Sequence, residues 1–159
     1  MTITDTTFQP LSVRGVRLYQ MRHIEDADRG NLTVGEFGRD LPFKPERYFI
    51  TYGIPSGQTR GAHAHKECGQ FILCVCGRCS LAVDDGTNNA VVRLNHPNVG
   101  VYIPPMVWAT EFNHSADAAL LIFASRPYEP EDYVQDYGVF QALAKAAKTH
   151  GCSLSTAKL

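Results

Sequence analysis

Short apolar segments separated by polar turn residues recur along the middle of the chain. Many are rich in Val, Ile, Tyr and Phe, which favour β-strands, and Gly, Pro, Asn or Asp stand at the breaks. Some alternate apolar and polar residues, whereas FILCV is apolar throughout, as in a strand packed on both faces. The pattern predicts an all-β sandwich or barrel. The segments are RYFITYGI (47–54), FILCV (71–75), SLAVDD (80–85), AVVRL (90–94), VGVYIPP (99–105) and AALLIFA (118–124).

The pattern changes near the end of the chain, where VFQALAKAA at 139–147 consists mostly of strong helix formers. Phe140, Leu143 and Ala147 recur at helical spacing along this stretch. We therefore predict a short C-terminal helix that packs on the outside of the sandwich and has a structural role.

Length and charge narrow the function classes. The 159 residues suffice for one full hydrophobic core, so we expect a single domain over 1–159. The 15 Lys and Arg nearly balance the 16 Asp and Glu, which predicts no general attraction to nucleic acid or to an anionic membrane. The start, MTITDTTFQPLSVRG, has no basic segment followed by an apolar core, and no run approaches the ~18 apolar residues of a membrane span. A cytoplasmic location is expected.

Four of the five cysteines, Cys68, Cys74, Cys76 and Cys79, lie close together, and Cys152 lies far away. Such crowding can indicate zinc, but a structural zinc site usually has two separated pairs of ligands. Two of the four also fall inside the apolar run FILCVC. Reduced thiols in a reducing compartment are the favoured interpretation.

The stretch RGAHAHKECGQ at 60–70 carries His63 and His65, two residues apart. On a strand, such residues point to the same side, so the two rings can share one site. An isolated His-x-His also occurs by chance on a solvated strand face, and the pair alone therefore does not establish a function.

The residues around the pair resemble the first motif of the cupin family. In metal-dependent cupins the position of Gln70 is a glutamate, and a second motif supplies one more histidine. The stretch GVYIPPMVWATEFN at 100–113 resembles that second motif, with Ala109 in place of the histidine. The matching positions are Gly57, His63, His65, Gln70 and Gly77, with Asn113 closing the second motif.

These two replacements argue against a catalytic metal. Gln70 carries no charge to offset a divalent ion, and Ala109 has no donor atom, so only two neutral imidazoles remain. A catalytic metal normally needs at least three protein ligands. We predict a metal-free site in which the imidazoles, with an ordinary pKa near ~6.5, move protons. Abstraction of a proton next to a carbonyl suits them, with Arg60 or Gln70 stabilising the resulting enediolate.

A longer resemblance is more specific. The string RGAHAHKECGQFILCVCG looks like the signature of the nucleotide-sugar 3,4-ketoisomerases, which act on dTDP-4-keto-6-deoxy-D-glucose. The similarity covers about residues 20–141. Other family-like stretches are DRGNLTVGEF (28–37), VDDG (83–86), GVYIPPMVW (100–108) and YEPEDYVQDYGVF (128–140).

The resemblance implies a cupin jelly roll that works without metal or other cofactor. It also implies a homodimer, often with N-terminal strands exchanged between subunits. The ketone would move from C4 to C3 of the sugar, with His63 as general base and His65 as its partner in proton transfer. Arg60 and Arg29 are candidates for binding the diphosphate and sugar oxygens, because a guanidinium group matches phosphate geometry.

Two aromatic positions bear on this assignment. Trp108 is either an aromatic wall for the substrate or a core residue. Phe49 stands where the family commonly has a tyrosine, and in a regular strand Tyr48 and Tyr52 point to the opposite face. A tyrosine that relays the second proton would therefore require a bulge in this strand or a phenol from elsewhere in the chain, or the role is absent.

The product and the reaction class stay open at this point. The Arg29–Gly30 pair looks more like members that form the galacto product, which an aminotransferase would convert to a 3-amino-3,6-dideoxyhexose for a surface polysaccharide such as O-antigen. The alternatives are a metal-dependent cupin that recruits His96 or His114, a dTDP-sugar 3,5-epimerase, and a sugar-nucleotide-binding cupin without activity.

Overall fold

The structure, a computed structural model, describes the backbone of residues 1–152 and the side chains of residues 1–148. Within this range it contains fourteen strands, one short 3-10 turn at Pro130–Asp132 and one helix, α1, at Tyr137–Cys152. The strands are β1 (Thr2–Thr4), β2 (Thr7–Pro10), β3 (Arg17–Gln20), β4 (Arg22–Glu25), β5 (Leu32–Val34), β6 (Arg47–Tyr52), β7 (Arg60–His65), β8 (Gln70–Cys76), β9 (Cys79–Asp84), β10 (Asn89–Leu94), β11 (Val99–Ile103), β12 (Trp108–Phe112), β13 (Ala119–Ala124) and β14 (Tyr133–Val134).

Two antiparallel sheets form the sandwich. One sheet has six strands in the order β2-β3-β11-β8-β13-β6, and the other has five in the order β10-β9-β12-β7-β14. Side chains from both sheets form one buried core, which includes Ile72 and Ile122 from the first sheet and Leu81 and Leu94 from the second. A separate three-stranded sheet, β1-β4-β5, lies near the N-terminus. The predicted all-β jelly-roll sandwich with a C-terminal helix is confirmed.

Helix α1 packs on the outside of the five-stranded sheet. Phe140 is fully buried and Ala144 is buried, and they contact Ala64 and Val134. Burying a phenylalanine side chain contributes roughly 1.5–3 kcal/mol to stability. The predicted face was wrong in two positions, because Leu143 is 40% exposed and Ala147 is also exposed, and the buried residues Phe140 and Ala144 are four residues apart. No helix in the described part of the chain is long and apolar enough to cross a membrane.

A bulge interrupts the pairing of β7 with β12. Ala109 pairs with His63 but Thr110 pairs with Gly61, so Ala62 is an extra residue with a positive φ of 55°. A side chain on Gly61 would meet the carbonyl oxygen of Ala109 at 2.9 Å, so this position requires glycine. Bulges re-aim the side chains that follow them. The bulge at Gly61 and Ala62 therefore determines the direction in which the side chain of His63 points.

The cysteines for which side chains are described, Cys68, Cys74, Cys76 and Cys79, are free thiols. Cys74 and Cys79 are buried between the two sheets in the main core. The side chain of Cys152 lies outside the described residues.

Candidate active site

The two predicted histidines are in direct contact. Their Nε2 atoms lie 3.2 Å apart, a hydrogen-bond distance, and the rings meet edge to face. His63 is partly buried, whereas His65 is buried. The i, i+2 spacing on β7 places both rings on one side of the strand, as the sequence predicted.

Asp132 forms a hydrogen bond with the ring nitrogen of His65 that does not contact His63. The Nδ1 atom of His65 lies 2.8 Å from Oδ2 of Asp132, and both side chains are buried. Asp132 also accepts hydrogen bonds from the backbone amides of Glu67 at 2.7 Å and Cys68 at 3.3 Å. Burial alone would raise the pKa of Asp132, but these amide bonds and His65 outweigh it and hold the pKa below its usual value. Asp132 is therefore ionised, and Nδ1 of His65 carries the proton.

This arrangement defines how the two rings share a proton. With Nδ1 protonated, a neutral His65 presents Nε2 as an acceptor toward His63. Burial lowers the pKa of His63 and, against the opposing effect of Asp132, also that of His65. Both rings are thus neutral near neutral pH, which is the state that a general base needs. A proton taken up by His63 can pass to His65, where Asp132 stabilises the positive charge.

Tyr133 fixes the two rings from the neighbouring strand. It pairs with His65 across β14 and β7, and its ring centroid lies 4.3 Å from that of His65 and 5.0 Å from that of His63. The ring of Tyr133 therefore packs against both imidazoles.

A cavity of about 70 Å³ opens beside His63, between the two sheets. Its walls include Gln70, which is buried, and Arg60, which is exposed. Phe49 also lines it, and Tyr48 and Tyr52 are 67% and 75% exposed on the opposite face of β6, as expected. The full lining is Phe49, Thr51, Arg60, Gly61, His63, Gln70, Ile72, Ala109 and Glu111.

Glu111, which the sequence interpretation missed, is buried in the wall of this cavity. Burial raises the pKa of its carboxyl group, and the charge of Arg60 only partly opposes this. Its Oε2 has no hydrogen-bond partner among the described residues, and His114 Nε2 lies 3.8 Å away, too far for a hydrogen bond. The hydroxyl of Thr51, also in the wall, is buried and equally unpartnered in the described part of the chain.

The two predicted phosphate-binding arginines are placed differently. Arg60 stands at the cavity, in register with Glu111 on β12. Arg29 lies in the turn between β4 and β5 and is bound to Asp26 through two nitrogens at 2.8 and 2.6 Å. The structure therefore does not bring Arg29 to the cavity within one chain.

Another arginine, Arg47, was missed. Its guanidinium group lies over the rings of Phe49 at 5.2 Å and Tyr128 at 5.5 Å, and its Nε is buried without a hydrogen-bond partner among the residues described. The positive charge of Arg47 also contributes to lowering the pKa of His65.

Trp108 does not line the cavity. Its ring packs edge to face on Tyr137 at 5.1 Å and also contacts Phe140, both in α1. Because neighbouring residues on a strand point to opposite faces, Ala109 turns inward and Trp108 outward. The contacts of Trp108 fit the core alternative, and its role in substrate binding stays a prediction.

One set of side chains has the composition of a metal site. The donor atoms of His65, Cys68 and Asp132 all lie within 4.8 Å of one another, and all three residues are buried. In this structure two of these groups are bound to each other through the 2.8 Å hydrogen bond. The proposed alternative ligands stand elsewhere: His96 contacts the ring of His23 and binds Asn98, and His114 lies beside Glu111.

Glu111 and Asp132 were not predicted as site residues, and they differ in whether a sequence pattern could have indicated them. Glu111 follows Ala109 by two positions on β12, so strand alternation would have placed it on the cavity side. Asp132 lies 67 residues from His65, and no periodicity connects them. Only the family-like stretch YEPEDYVQDYGVF pointed to that region.

Comparison with known proteins gives a consistent result. Residues 14–145 match the model of the family described as FdtA: WxcM-like, C-terminal. The curated TDP-4-oxo-6-deoxy-alpha-D-glucose-3,4-oxoisomerase of Aneurinibacillus thermoaerophilus is 33% identical over 113 residues, covering 71% of this chain and 81% of that protein.

Solved structures of 3,4-ketoisomerases are also similar to this chain. A double mutant of the 3,4-ketoisomerase QdtA from Thermoanaerobacterium thermosaccharolyticum, in complex with TDP, has a TM-score of 0.82 and 32% identity, covering 85% of this chain and 97% of that one. A 3,4-ketoisomerase from Helicobacter canadensis has a TM-score of 0.79 and 32% identity, covering 82% and 98%. The 3,5-epimerase RmlC from Legionella pneumophila, at 14% identity and a TM-score of 0.70, shares the fold alone.

Proposed function

The chain belongs to the FdtA, WxcM-like family and is an isomerase, and from this premise we propose that it converts dTDP-4-keto-6-deoxy-D-glucose to a dTDP-3-keto-6-deoxyhexose. The observation that carries the proposal is the relay from the cavity through His63 and His65 to Asp132. A mutant of QdtA has been solved in complex with TDP-4-keto-6-deoxyglucose, which supports this substrate.

In the first step His63 takes the proton from C3 of the sugar. The C3–H bond breaks, its electron pair forms a double bond between C3 and C4, and negative charge moves to the C4 oxygen. His63 shares the new proton with His65 through the 3.2 Å contact, and ionised Asp132 stabilises the charged pair. In the second step the proton returns to C4 and the C3 oxygen becomes the ketone.

The anionic half of the substrate would bind to cationic side chains near the cavity. We assign the diphosphate or sugar oxygens to Arg60, with Gln70 as a neutral hydrogen-bonding group for the sugar. Arg29, on the small sheet, takes part only if a second subunit presents it. The galacto product is the favoured stereochemistry, and the product then suits an aminotransferase that makes a 3-amino-3,6-dideoxyhexose in the cytoplasm.

A homodimer is part of the proposal. The outer face of the edge strand β6 presents Tyr48, Ile50 and Tyr52, which are 67%, 50% and 75% exposed. Val75, on the same sheet, is 43% exposed. Grouped apolar side chains of this kind typically mark interfaces between proteins. Light scattering after size exclusion should give twice the chain mass, and Ile50→Asp should give a monomer; a monomeric wild type contradicts the dimer.

Exchange of N-terminal strands is the further expectation for that dimer. In the single chain, β1 pairs with β4 and β2 pairs with β3, which are the pairings that a partner would replace. Cysteine cross-linking of Phe8→Cys to Tyr19→Cys, which stack at 5.2 Å, would yield covalent dimers if the strands are exchanged and cross-linked monomers if they are not.

The decisive experiment supplies dTDP-4-keto-6-deoxyglucose in deuterated water and follows the sugar by NMR. Deuterium at the exchanging carbon together with a 3-keto product supports the ketoisomerase. Exchange at C5 points to an epimerase, and dTDP binding without turnover points to a binding protein. Stoichiometric iron, zinc or manganese with activity lost to chelators would favour the metal-dependent alternative.

A further inference from the structure

The reaction moves two protons, and the relay accounts for only one of them. Transfer of hydrogen from C3 to C4 turns a hydroxyl at C3 into a ketone and a ketone at C4 into a hydroxyl. The C3 oxygen must therefore lose a proton and the C4 oxygen must gain one. Phe49 in the wall of the cavity has no hydroxyl that could serve this second transfer.

Given the proposed function, we infer that Glu111 is the acid that exchanges the oxygen-bound protons of the sugar. One carboxyl oxygen donates its proton to the C4 oxygen, and the other accepts the proton of the C3 hydroxyl. The carboxyl group ends the cycle protonated again, so no further acid or base is consumed. His63 meanwhile moves the carbon-bound proton, and every atom and charge balances.

The position of Glu111 supports this role. It lies in the same cavity wall as His63, and it is two residues along β12 from Ala109, the residue that pairs with His63. It is only 7% exposed, and its Oε2 has no hydrogen-bond partner among the described residues. A buried polar atom without a partner costs free energy, so its retention at a cavity wall indicates a ligand that completes it.

The surroundings of Glu111 favour the neutral acid. From β7, Arg60 and His63 face it, but neither forms an ion pair with it within 4.0 Å in the described structure. From its own strand end, His114 lies 3.8 Å away, and burial lowers the pKa of His114, so this ring is neutral as well. On β9 the nearby titratable group is the buried thiol of Cys79. Thr51 and Gln70, from the six-stranded sheet, carry no charge.

Two other groups near the histidines fit the role less well. Tyr133 contacts both imidazoles through its ring but is not part of the cavity lining. Thr51 lines the cavity, yet an aliphatic hydroxyl is too weak an acid to protonate an enediolate at neutral pH. Glu111 is the ionisable acid that shares the cavity with His63 among the residues described.

The test compares product formation with deuterium uptake at C3 in Glu111→Gln, which preserves shape but cannot transfer a proton. Product formation should fall about 10²-fold or more, and C3 exchange should fall less, because exchange needs no transfer between oxygens. Because burial raises the pKa of Glu111, we expect the kcat of wild type to decline toward alkaline pH as this acid deprotonates, and we expect the decline to be absent in Glu111→Gln. The exposed Glu46→Gln is the matched control and should behave as wild type.

A second variant keeps the test independent of folding defects. Adding Phe49→Tyr to Glu111→Gln places a phenol in the same cavity and should recover at least about tenfold in product formation. Wild-type turnover in Glu111→Gln, or equal losses of exchange and product with an unchanged alkaline limb, would overturn the assignment. A large loss in Tyr133→Phe with full activity in Glu111→Gln would move the role to Tyr133. If the wild type itself makes no 3-keto product, the proposed function fails and this inference with it.

Discussion

Asp132 accepts hydrogen bonds from His65 and from two backbone amides, whereas Glu111 and Thr51, on the cavity wall, have buried oxygen atoms without a partner in the described structure. The first group is complete before any ligand arrives. The second is complete only when a ligand supplies the missing hydrogen bonds. The two regions therefore have different tasks: one holds the base in its working protonation state, and the other recognises the reacting oxygens.

The contrast also explains why two carboxyl groups in one site carry different charges. Three donors keep Asp132 ionised despite burial, because hydrogen bonds to the carboxylate favour the charged form. Glu111 has burial without donors, which favours the neutral form. Environments that separate the pKa values of two nearby acids are typical of sites with distinct acid and base roles.

The largest effect is expected from removing the base itself. His63→Asn should reduce turnover by about 10³-fold or more, since general base catalysis contributes typically 10²–10⁴-fold. The circular dichroism spectrum and the melting temperature should stay close to wild type, because His63 is only partly buried. Steady-state kinetics decides the point, and retained turnover would show that another group is the base.

A smaller loss of turnover should follow from replacing Asp132, whose carboxylate is fully hydrogen-bonded before a ligand binds. Asp132→Asn keeps the shape but removes the charge that stabilises the protonated histidine pair, and we expect a loss of about 10²-fold in kcat with little change in KM. Asp132 raises the pKa of His65 against the effect of burial, so its removal should move the acidic limb of the kcat profile to lower pH. A shift to higher pH would contradict this assignment of charge.

The buried, unpartnered carboxyl group of Glu111 should affect how the stability of the protein depends on pH. The raised pKa of Glu111 means that its contribution to the free energy of unfolding is present below its unfolded value near ~4.3 and is lost as pH rises through the folded value. Wild type should therefore lose stability relative to Glu111→Gln as pH rises. The difference in melting temperature should change by a few degrees in favour of the variant between pH 5 and pH 8. Scanning calorimetry at both pH values measures the gain, and a constant difference would show that Glu111 does not titrate there.

The smallest effect on catalysis is expected outside both regions. Trp108→Phe keeps an aromatic contact with α1, so kcat and KM should change less than about threefold, while the free energy of unfolding should fall by about 1 kcal/mol. Urea titration and kinetics on the same preparation give both numbers. A tenfold rise in KM would return Trp108 to the substrate site.

The same comparison shows what sequence could and could not supply. The six apolar segments contain strands of the sandwich, and the i, i+2 spacing brought His63 and His65 together, because both features depend on local periodicity. The candidate roles of Arg29 and Trp108 came from the family resemblance and from residue type, and neither tells which face or which sheet of this chain a side chain occupies. Asp132 depends on pairing between β14 and β7, which is a long-range event.

The position of β14 and α1 in the chain has a consequence for biosynthesis. Chains leave the ribosome from the N-terminus, and a chain emerged through β13 already contains both sheets except β14, together with His63 and His65. Asp132 arrives only with the last segment, and it reaches His65 when β14 pairs with β7 and Phe140 docks on Ala64 and Val134. The nascent chain therefore contains both histidines before Asp132 can reach them, and the pairing of β14 with β7 completes the hydrogen-bonded relay.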